Sequence, residues 1–351
     1  MASVRVELEE VLCHFDELED PRSPINLKHP LVSVVVIAIM AVLSGSGGPA
    51  AIADWAELKE KWLMKRLLLP YGVPGKDVFR RVLSALKPEV FQACFANWLN
   101  ALRSAAALAT GVEQPVLAID GKTLRRSHDR AKGLGALHSV SGWASEFGLS
   151  LGQVATDEKS SEITAIPELL RLVDIRGAII TMDAMGTQVA IAQQIIEGQA
   201  DYLLALKGNQ GTLHDAAIEY VDQEIQRDFP TGRHHVVRET GHGRTDVRHY
   251  VQLPVPKNLS GAQRWKGLKT IGVAILNSVR DGHETTDIRY FISSLPMGVK
   301  RFAHAVRSHW AIENTCHWSL DITYREDESR IRNEHLRENF AWLNRASLCR
   351  C

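Results

Sequence analysis

Two apolar runs that each deliver one aspartate to their end constrain this chain more than any other feature. The first is PVLAID, residues 115–120, followed at once by GKTLRRS; the second is GAIITMDAMGTQ, residues 177–188, which carries Asp183. Asp-Gly is also a common turn dipeptide, so Asp120 taken alone reads as readily as a turn residue. The pattern around it decides the matter. PVLAID, LHSVSGWAS and GLSLGQVAT are short, apolar and closely spaced, which predicts three strands in an antiparallel meander. EITAIPELLRLV follows with helical spacing, its buried stripe expected at Ile163, Ile166, Leu169, Leu170 and Val173. A strand ending in Asp183, the helix QVAIAQQIIEG and the strand DYLLALKGNQG complete the series.

Three strands, a helix, a strand, a helix and a strand is the order of a ribonuclease-H-like core. That order sets the ends of the first and fourth strands side by side, so Asp120 and Asp183 are expected to meet at the carboxyl edge of the sheet, where α/β proteins place reactive groups. The expected fold class is α/β (α+β): a ribonuclease-H-like mixed sheet with flanking helices and a mixed insertion, preceded by an all-helical N-terminal domain. Residues 1–108 read as helices, with Val78, Phe79, Val82, Leu83 and Leu86 forming one apolar face and Asp77 available as an N-cap. The core spans 113–345, interrupted at about 208–295 by polar loops such as RETGHGRTDVRH and by two strands, LKTIGVAILNSV and DIRYFISSL.

Composition limits the partners. Lys plus Arg and Asp plus Glu both number 41, so net charge gives no general attraction to nucleic acid or anionic membranes, and any such contact must rest on local patches. The five cysteines form no CxxC pair, which fits a reducing cytoplasm and argues against a structural zinc site. The acidic start has no secretory character, and LVSVVVIAIMAVLSG is too short to span a bilayer, so a buried helix after Pro30, a cytoplasmic location and no membrane partner are expected.

In RSHWAIENTCHWSLD, His309, Glu313 and His317 recur at i, i+4 and i+8 and would share one face of a helix. Two histidines flanking a glutamate are compatible with zinc. If the helix packs beside the sheet end, Glu313 instead becomes a third carboxylate with Asp120 and Asp183, and three hard oxygen donors suit Mg²⁺ or Mn²⁺ better.

LAIDGKTLRRS, KSSEITAIPELL, ITMDAMGTQ, YLLALKGNQ, GHGR, YFISSL and the long RSHWAIENTCHWSLDITYREDESRIR together resemble the DDE transposases of bacterial insertion sequences, in the H-repeat-associated branch. HFDELEDPRSPINLKHPL and PGKDVFRRVLSAL resemble that branch's N-terminal domain, so the resemblance covers nearly the whole chain. It implies a catalytic triad of Asp120, Asp183 and Glu313 holding two Mg²⁺ or Mn²⁺ ions, with cleavage of double-stranded DNA at terminal inverted repeats and transfer into target DNA by a homo-oligomer. Related branches carry Tyr, Arg and Lys around the glutamate; here Val306, His309 and Leu320 stand there, and Arg307 and His317 are the candidate replacements. Glu326 in YREDESR is a rival third acid.

Lys122, Arg125, Arg126 and Lys207 follow the strands that carry or flank the aspartates and are candidate phosphate contacts, part of a basic cluster from Lys122 to Lys132. Arg80 and Arg81 lie off the apolar face of their helix and could meet a phosphate backbone, while His242 and Arg244 sit in the polar loop of the insertion. A haloacid-dehalogenase phosphatase would need Asp-x-Asp and is excluded by Ala118, and an actin-like ATPase would need further Gly-rich phosphate loops. The chain closes on RENFAWLNRASLCRC, where members of the family run on through another apolar helix. The expectation is a shortened end, and with it the alternative of a non-catalytic, DNA-binding transposase remnant.

Overall fold

A computed structural model describes residues 8–25, 27–129, 133–156, 162–227, 231–241 and 243–348. The chain divides into two units: one built from 1–112, 121–173 and 313–351, the other from 113–120 and 174–312.

The first unit begins with helices α1 (Leu8–Phe15), α2 (Leu31–Leu43), α3 (Pro49–Leu58), α4 (Glu60–Leu63), α5 (Lys76–Ala85) and α6 (Pro88–Thr110). The apolar run forms α2 directly after Pro30 and is buried on nearly every side, as its lack of polar spacing requires. Among the described residues no helix is long and apolar enough to cross a membrane. On α5, Phe79, Val82, Leu83 and Leu86 are buried while Val78 is only half-buried. Asp77 is not the N-cap; Gly75 takes that position and Asp77 lies in the first turn, paired with Arg80 at 3.2 Å. Phe15, Phe91 and Phe95 pack edge-on or tilted around α6, with centroids 4.9 to 6.1 Å apart. Strand β1 (Val116–Leu124) passes from the second unit into the first at Gly121. β2 (Leu137–Ala144) and β3 (Leu149–Thr156) follow in the order β3-β2-β1, and helix α7 (Glu162–Leu172) packs on β2 and β3. The stripe of α7 is buried at Ile166, Leu169 and Leu170, with Val173 just beyond, but Ile163 is exposed and Ala165 takes the inward place.

The second unit is a sheet in the order β1-β4-β5-β9-β8-β7-β6. Its strands and helices run β4 (Ile179–Met182), α8 (Val189–Glu197), β5 (Asp201–Leu206), α9 (Gly211–Gln226), β6 (Arg233–Gly241), β7 (Arg244–Pro254), β8 (Thr270–Arg280), β9 (His283–Ser293) and α10 (Val299–Ala311). β1, β4 and β5 are parallel and β9 returns antiparallel beside β5. The insertion therefore contributes four strands where two were expected. RETGHGRTDVRH is a β-hairpin, β6 to β7, and not a polar loop. Its residues are polar on both faces, which hid the alternation. α10 covers one face of the sheet: Phe302 lies against Gly272, where an added Cβ would sit 2.2 Å from the ring, and also packs near Tyr250 and Phe291.

After α10 the backbone takes a π-helical stretch, Ile312–His317, then α11 (Trp318–Ile322) and α12 (Glu334–Ala346), which return the chain to the first unit. Asn333 caps α12, its side chain accepting from the Leu336 amide at 2.9 Å. α12 packs against α2, α5, α6 and β3. Its Asn339 donates to the carbonyls of Leu83 and Leu86 at 2.9 Å each, and Trp342 stacks on Phe95 at 5.9 Å. The chain is thus mixed α/β, with a mixed sheet flanked by helices and helices at its N-terminal end, as the sequence pattern predicts.

Candidate active site

The register of β1 against β4 pairs Val116 with Ile179 and ends with Ile119 opposite Met182. Asp120 and Asp183 are each the next residue, so two carboxylates leave neighbouring parallel strands at the same level. Asp183 is exposed, and its Oδ1 accepts from the amides of Met185 at 3.0 Å and Gly186 at 3.2 Å, which fixes the side chain at the strand end. Thr187 braces the same turn by donating to the carbonyls of Asp183 at 3.0 Å and Ala205 at 2.7 Å.

α10 reaches this sheet end through His309, whose Nδ1 lies 3.0 Å from Thr181 Oγ1. Thr181 is two residues before Asp183 and so shares its face of β4. Burial pushes the His309 imidazole down to about 4, with Asp183 pulling the other way and Arg289 adding to the depression, so the ring is neutral at pH 7. Arg289 carries no motif of its own in the sequence. It reaches the site from β9, stacks over Trp310 at 4.3 Å and donates from Nε to Asp287 at 2.7 Å. Only the alternation of DIRYFISSL, which sets Arg289 and Phe291 on one face, could have pointed to it.

Just beyond Asp120 the first unit holds a buried polar chain. Thr123 Oγ1 lies 2.7 Å from His138 Nδ1, and His138 Nε2 lies 2.8 Å from Glu162 Oε1. Gly121 is required here, because an added Cβ would meet Glu162 Oε1 at 2.4 Å and His138 Nε2 at 2.8 Å. Lys122, a candidate phosphate contact, is instead buried, its Nζ 2.6 Å from Asp321 and 3.6 Å from Asp327. Strand alternation turns it inward, and two aspartates compensate the charge. Arg125 and Arg126 are exposed, Arg125 reaching Asp327 at 3.4 Å, and Lys207 is exposed after β5.

Glu313 is exposed in the π-helical stretch directly after α10. The widened turn breaks the even spacing of His309, Glu313 and His317, because a π turn holds more residues than an α turn. Burial, with the charges of Arg345 and Lys122, pushes His317 down to about 3. Among the described residues no group of three or more His, Cys, Asp or Glu side chains is gathered closely enough to hold a metal ion, and this holds for His309, Glu313 and His317 as for Asp120, Asp183 and Glu313. Glu326 is fully buried against the equally buried Arg345 at 3.2 Å, an ion pair inside the protein and not a solvent-facing ligand.

The remaining candidates are dispersed. Arg307 is half-exposed, 3.5 Å from Glu239. Arg80 and Arg81 are exposed on α5, and Arg244 opens β7 in a 2.8 Å pair with the buried Asp246. His242 and Lys132 lie outside the described residues.

Residues 112–350 match the Transposase DDE domain family, and residues 12–99 match the family described as DDE_Tnp_1-associated. The chain is 37% identical over 350 residues to "H repeat-associated putative transposase YhhI" of Escherichia coli K12, covering 98% of this chain and 90% of that protein. It is also 37% identical over 345 residues to "Putative transposase YncI" of Escherichia coli O157:H7, covering 97% and 87%. A solved piggyBac transposase synaptic complex with hairpin DNA aligns over 97% of this chain and 76% of its own at a TM-score of 0.36 and 10% identity. A family match over this length, together with relatives at this identity, means that the chain belongs to the DDE-domain transposases.

Proposed function

We propose that the chain cleaves double-stranded DNA at the terminal inverted repeats of a mobile element and joins the freed ends to target DNA, with Asp120, Asp183 and Glu313 as its catalytic acids. The observation that carries this reading is the β1–β4 register, which ends at Ile119 opposite Met182, one residue before each aspartate. α10, joined to β4 through His309 and Thr181, runs directly into the turn with Glu313, which supports that residue as the third acid. In this reading residues 1–108 are a DNA-binding domain and 113–345 the catalytic domain with its insertion at about 208–295. A homo-oligomer would hold two element ends together.

The donor set fits a hard divalent cation: carboxylate oxygens with no sulfur among them. Mg²⁺ or Mn²⁺, two ions held by the three acids, would supply activation of the attacking water or 3′-hydroxyl and stabilisation of the leaving oxygen. The chain's own residues do the placing. The amides of Met185 and Gly186 orient Asp183, and neutral His309 holds α10 against β4 without adding a charge. Arg125, Arg126 and Lys207 are exposed cations suited to strand phosphates, whereas Lys122 anchors the segment that presents the arginines. Arg307, His317, Arg80 and Arg81 complete the proposed DNA contacts.

The test is cleavage of a terminal-repeat duplex in Mg²⁺ alongside Mn²⁺ binding by calorimetry. Asp120→Asn, Asp183→Asn and Glu313→Gln should each abolish cutting and weaken Mn²⁺ binding while leaving duplex binding intact. Retained cutting in Asp120→Asn or Asp183→Asn would overturn the assignment. Duplex binding without cutting in the unaltered chain would favour the remnant reading.

A further inference from the structure

In the first unit a cleft of about 400 Å³ opens between residues 22–25 and 27–29 on one side and the start of α5 on the other. Arg22, Lys28, His29 and Arg81 line it, with Ile25 and Val78 among the apolar residues. The loop is fixed by its own chemistry. Arg22 donates to both oxygens of Asp20, at 2.8 and 2.6 Å, and to the carbonyl of His29 at 2.8 Å, tying the two ends of the segment together. Asp20 balances Arg22, and Asp77 balances Arg80. Lys28 and Arg81 are exposed, and among the described residues neither has a carboxylate partner; Arg81 donates only to the Asp77 carbonyl at 3.2 Å. Two uncompensated cations therefore face one cleft in a chain whose net charge is zero.

His29 supplies an independent observation. Its Nδ1 is buried with no hydrogen-bond partner among the described residues, a costly arrangement for a polar atom. Burial, with the nearby charges of Arg22 and Lys28, holds the imidazole below its usual range, so the cleft carries positive potential where this ring sits. The helix begins at Lys76, so its positive end adds to the same field.

We propose that this cleft binds a phosphodiester of the DNA backbone, with Lys28 and Arg81 as the charge contacts and Arg22 as the staple that shapes the loop. The inference rests on the reading that the chain acts on DNA and adds a backbone-gripping site remote in sequence from the proposed catalytic acids. A phosphodiester fits better than a free carboxylate ligand because the cleft joins cations to an apolar lip, and Ile25, 77% exposed, can lie along a sugar. Contacts of this kind fix register on a duplex without reading its sequence.

The experiment uses the full chain and a terminal-repeat duplex in EDTA, so that binding is measured without cutting. The double variant Lys28→Ala/Arg81→Ala should lower the slope of log affinity against log salt by about 1.8, two contacts at about 0.9 each. Its melting temperature should stay at the wild-type value, since both side chains are exposed. Lys28→Arg should keep the slope. As a second reading, the ring signals of His29 should move on adding the duplex and far less on adding inorganic phosphate at equal phosphate concentration. An unchanged slope overturns the proposal, and so does saturation by inorganic phosphate alone, which would make this a free-phosphate site. Asp183→Asn assayed for cleavage in a parallel Mg²⁺ reaction separates the two readings: if it still cuts, the proposed catalysis fails, whereas the salt slope in EDTA judges the cleft by itself.

Discussion

Replacing Glu326 by Gln should unfold the protein more readily, although the residue takes no part in the proposed chemistry. Both partners of the Arg345–Glu326 pair are fully buried, and Nη1 of the arginine lies 3.2 Å from Oε1 of the glutamate. The guanidinium also donates to Ser139 Oγ at 2.9 Å and to the Ala341 carbonyl at 3.3 Å, so its other hydrogen bonds go to neutral groups. Glu326→Gln keeps the shape and an acceptor but leaves a buried cation without its counter-charge, which costs about 3–5 kcal/mol. At about 2.1 cal/mol/K of unfolding entropy per residue, a chain of 351 residues shifts by roughly 1.4 °C per kcal/mol, so the loss corresponds to about 4–7 °C in melting temperature. The assay is a thermal melt of wild type, Glu326→Gln and the double variant Glu326→Leu/Arg345→Met, in which both charges are gone. The single variant should melt well below wild type and the double variant should recover most of the loss. Glu313→Gln, at an exposed position, should melt with wild type while losing cleavage. A Glu326→Gln protein melting within about 1 °C of wild type would refute the argument that this pair is a closed internal ion pair.

Gly121→Ala should cost about 1–3 kcal/mol in a denaturant melt, because its Cβ would fall 2.4 Å from Glu162 Oε1, and should reduce cleavage by disturbing the residue next to Asp120. Gly272→Ala should destabilise by a similar or larger amount, but as a loss of packing against Phe302, rescued in part by Phe302→Leu. His317 is held near 3 when folded and titrates near its ordinary value of 6.5 when unfolded, so the unfolded chain binds the extra proton first and stability falls as pH drops from about 6.5 toward 3. His317→Gln should flatten the melting-temperature profile between pH 6.5 and 5, and an identical slope in both proteins would argue against a buried neutral ring.

The strands and helices from Val116 to Leu206 were legible because each is a strongly patterned segment of its own, and the aspartates were legible because each ends such a run. The four-stranded insertion was half-legible: β8 and β9 carry apolar runs, whereas β6 and the first half of β7 are mostly Arg, His, Thr, Asp and Glu, and only the YVQL end of β7 is a buried run. Lys122, Glu326 and Arg345 were out of reach for a different reason. Their roles depend on partners about two hundred residues away in the first case, on Asp321, and nineteen in the second, and a charged residue looks the same in sequence whether solvent or a buried counter-ion answers it. The π turn has no composition of its own, so even helical spacing suggested a shared face for His309, Glu313 and His317 that the backbone does not keep. Arg289 reaches the site only through the pairing of β9 with β5.

The packing of α12 among α2, α5 and α6 has a consequence for the order in which the protein can be made. The helices synthesised first lack the surface that Trp342 and Asn339 supply until the ribosome has added α12. Between Val112 and α12 lie more than two hundred residues, which at roughly 5–20 residues per second is on the order of ten to fifty seconds of translation. Through that interval the face of α6 bearing Phe95 has no permanent neighbour at that position, and a nascent chain must be sheltered or must collapse on itself provisionally. A polypeptide interrupted before residue 334 would carry both proposed aspartates and still present an open helical bundle to cellular proteases. For this molecule the N-terminal core closes only once α12 has emerged.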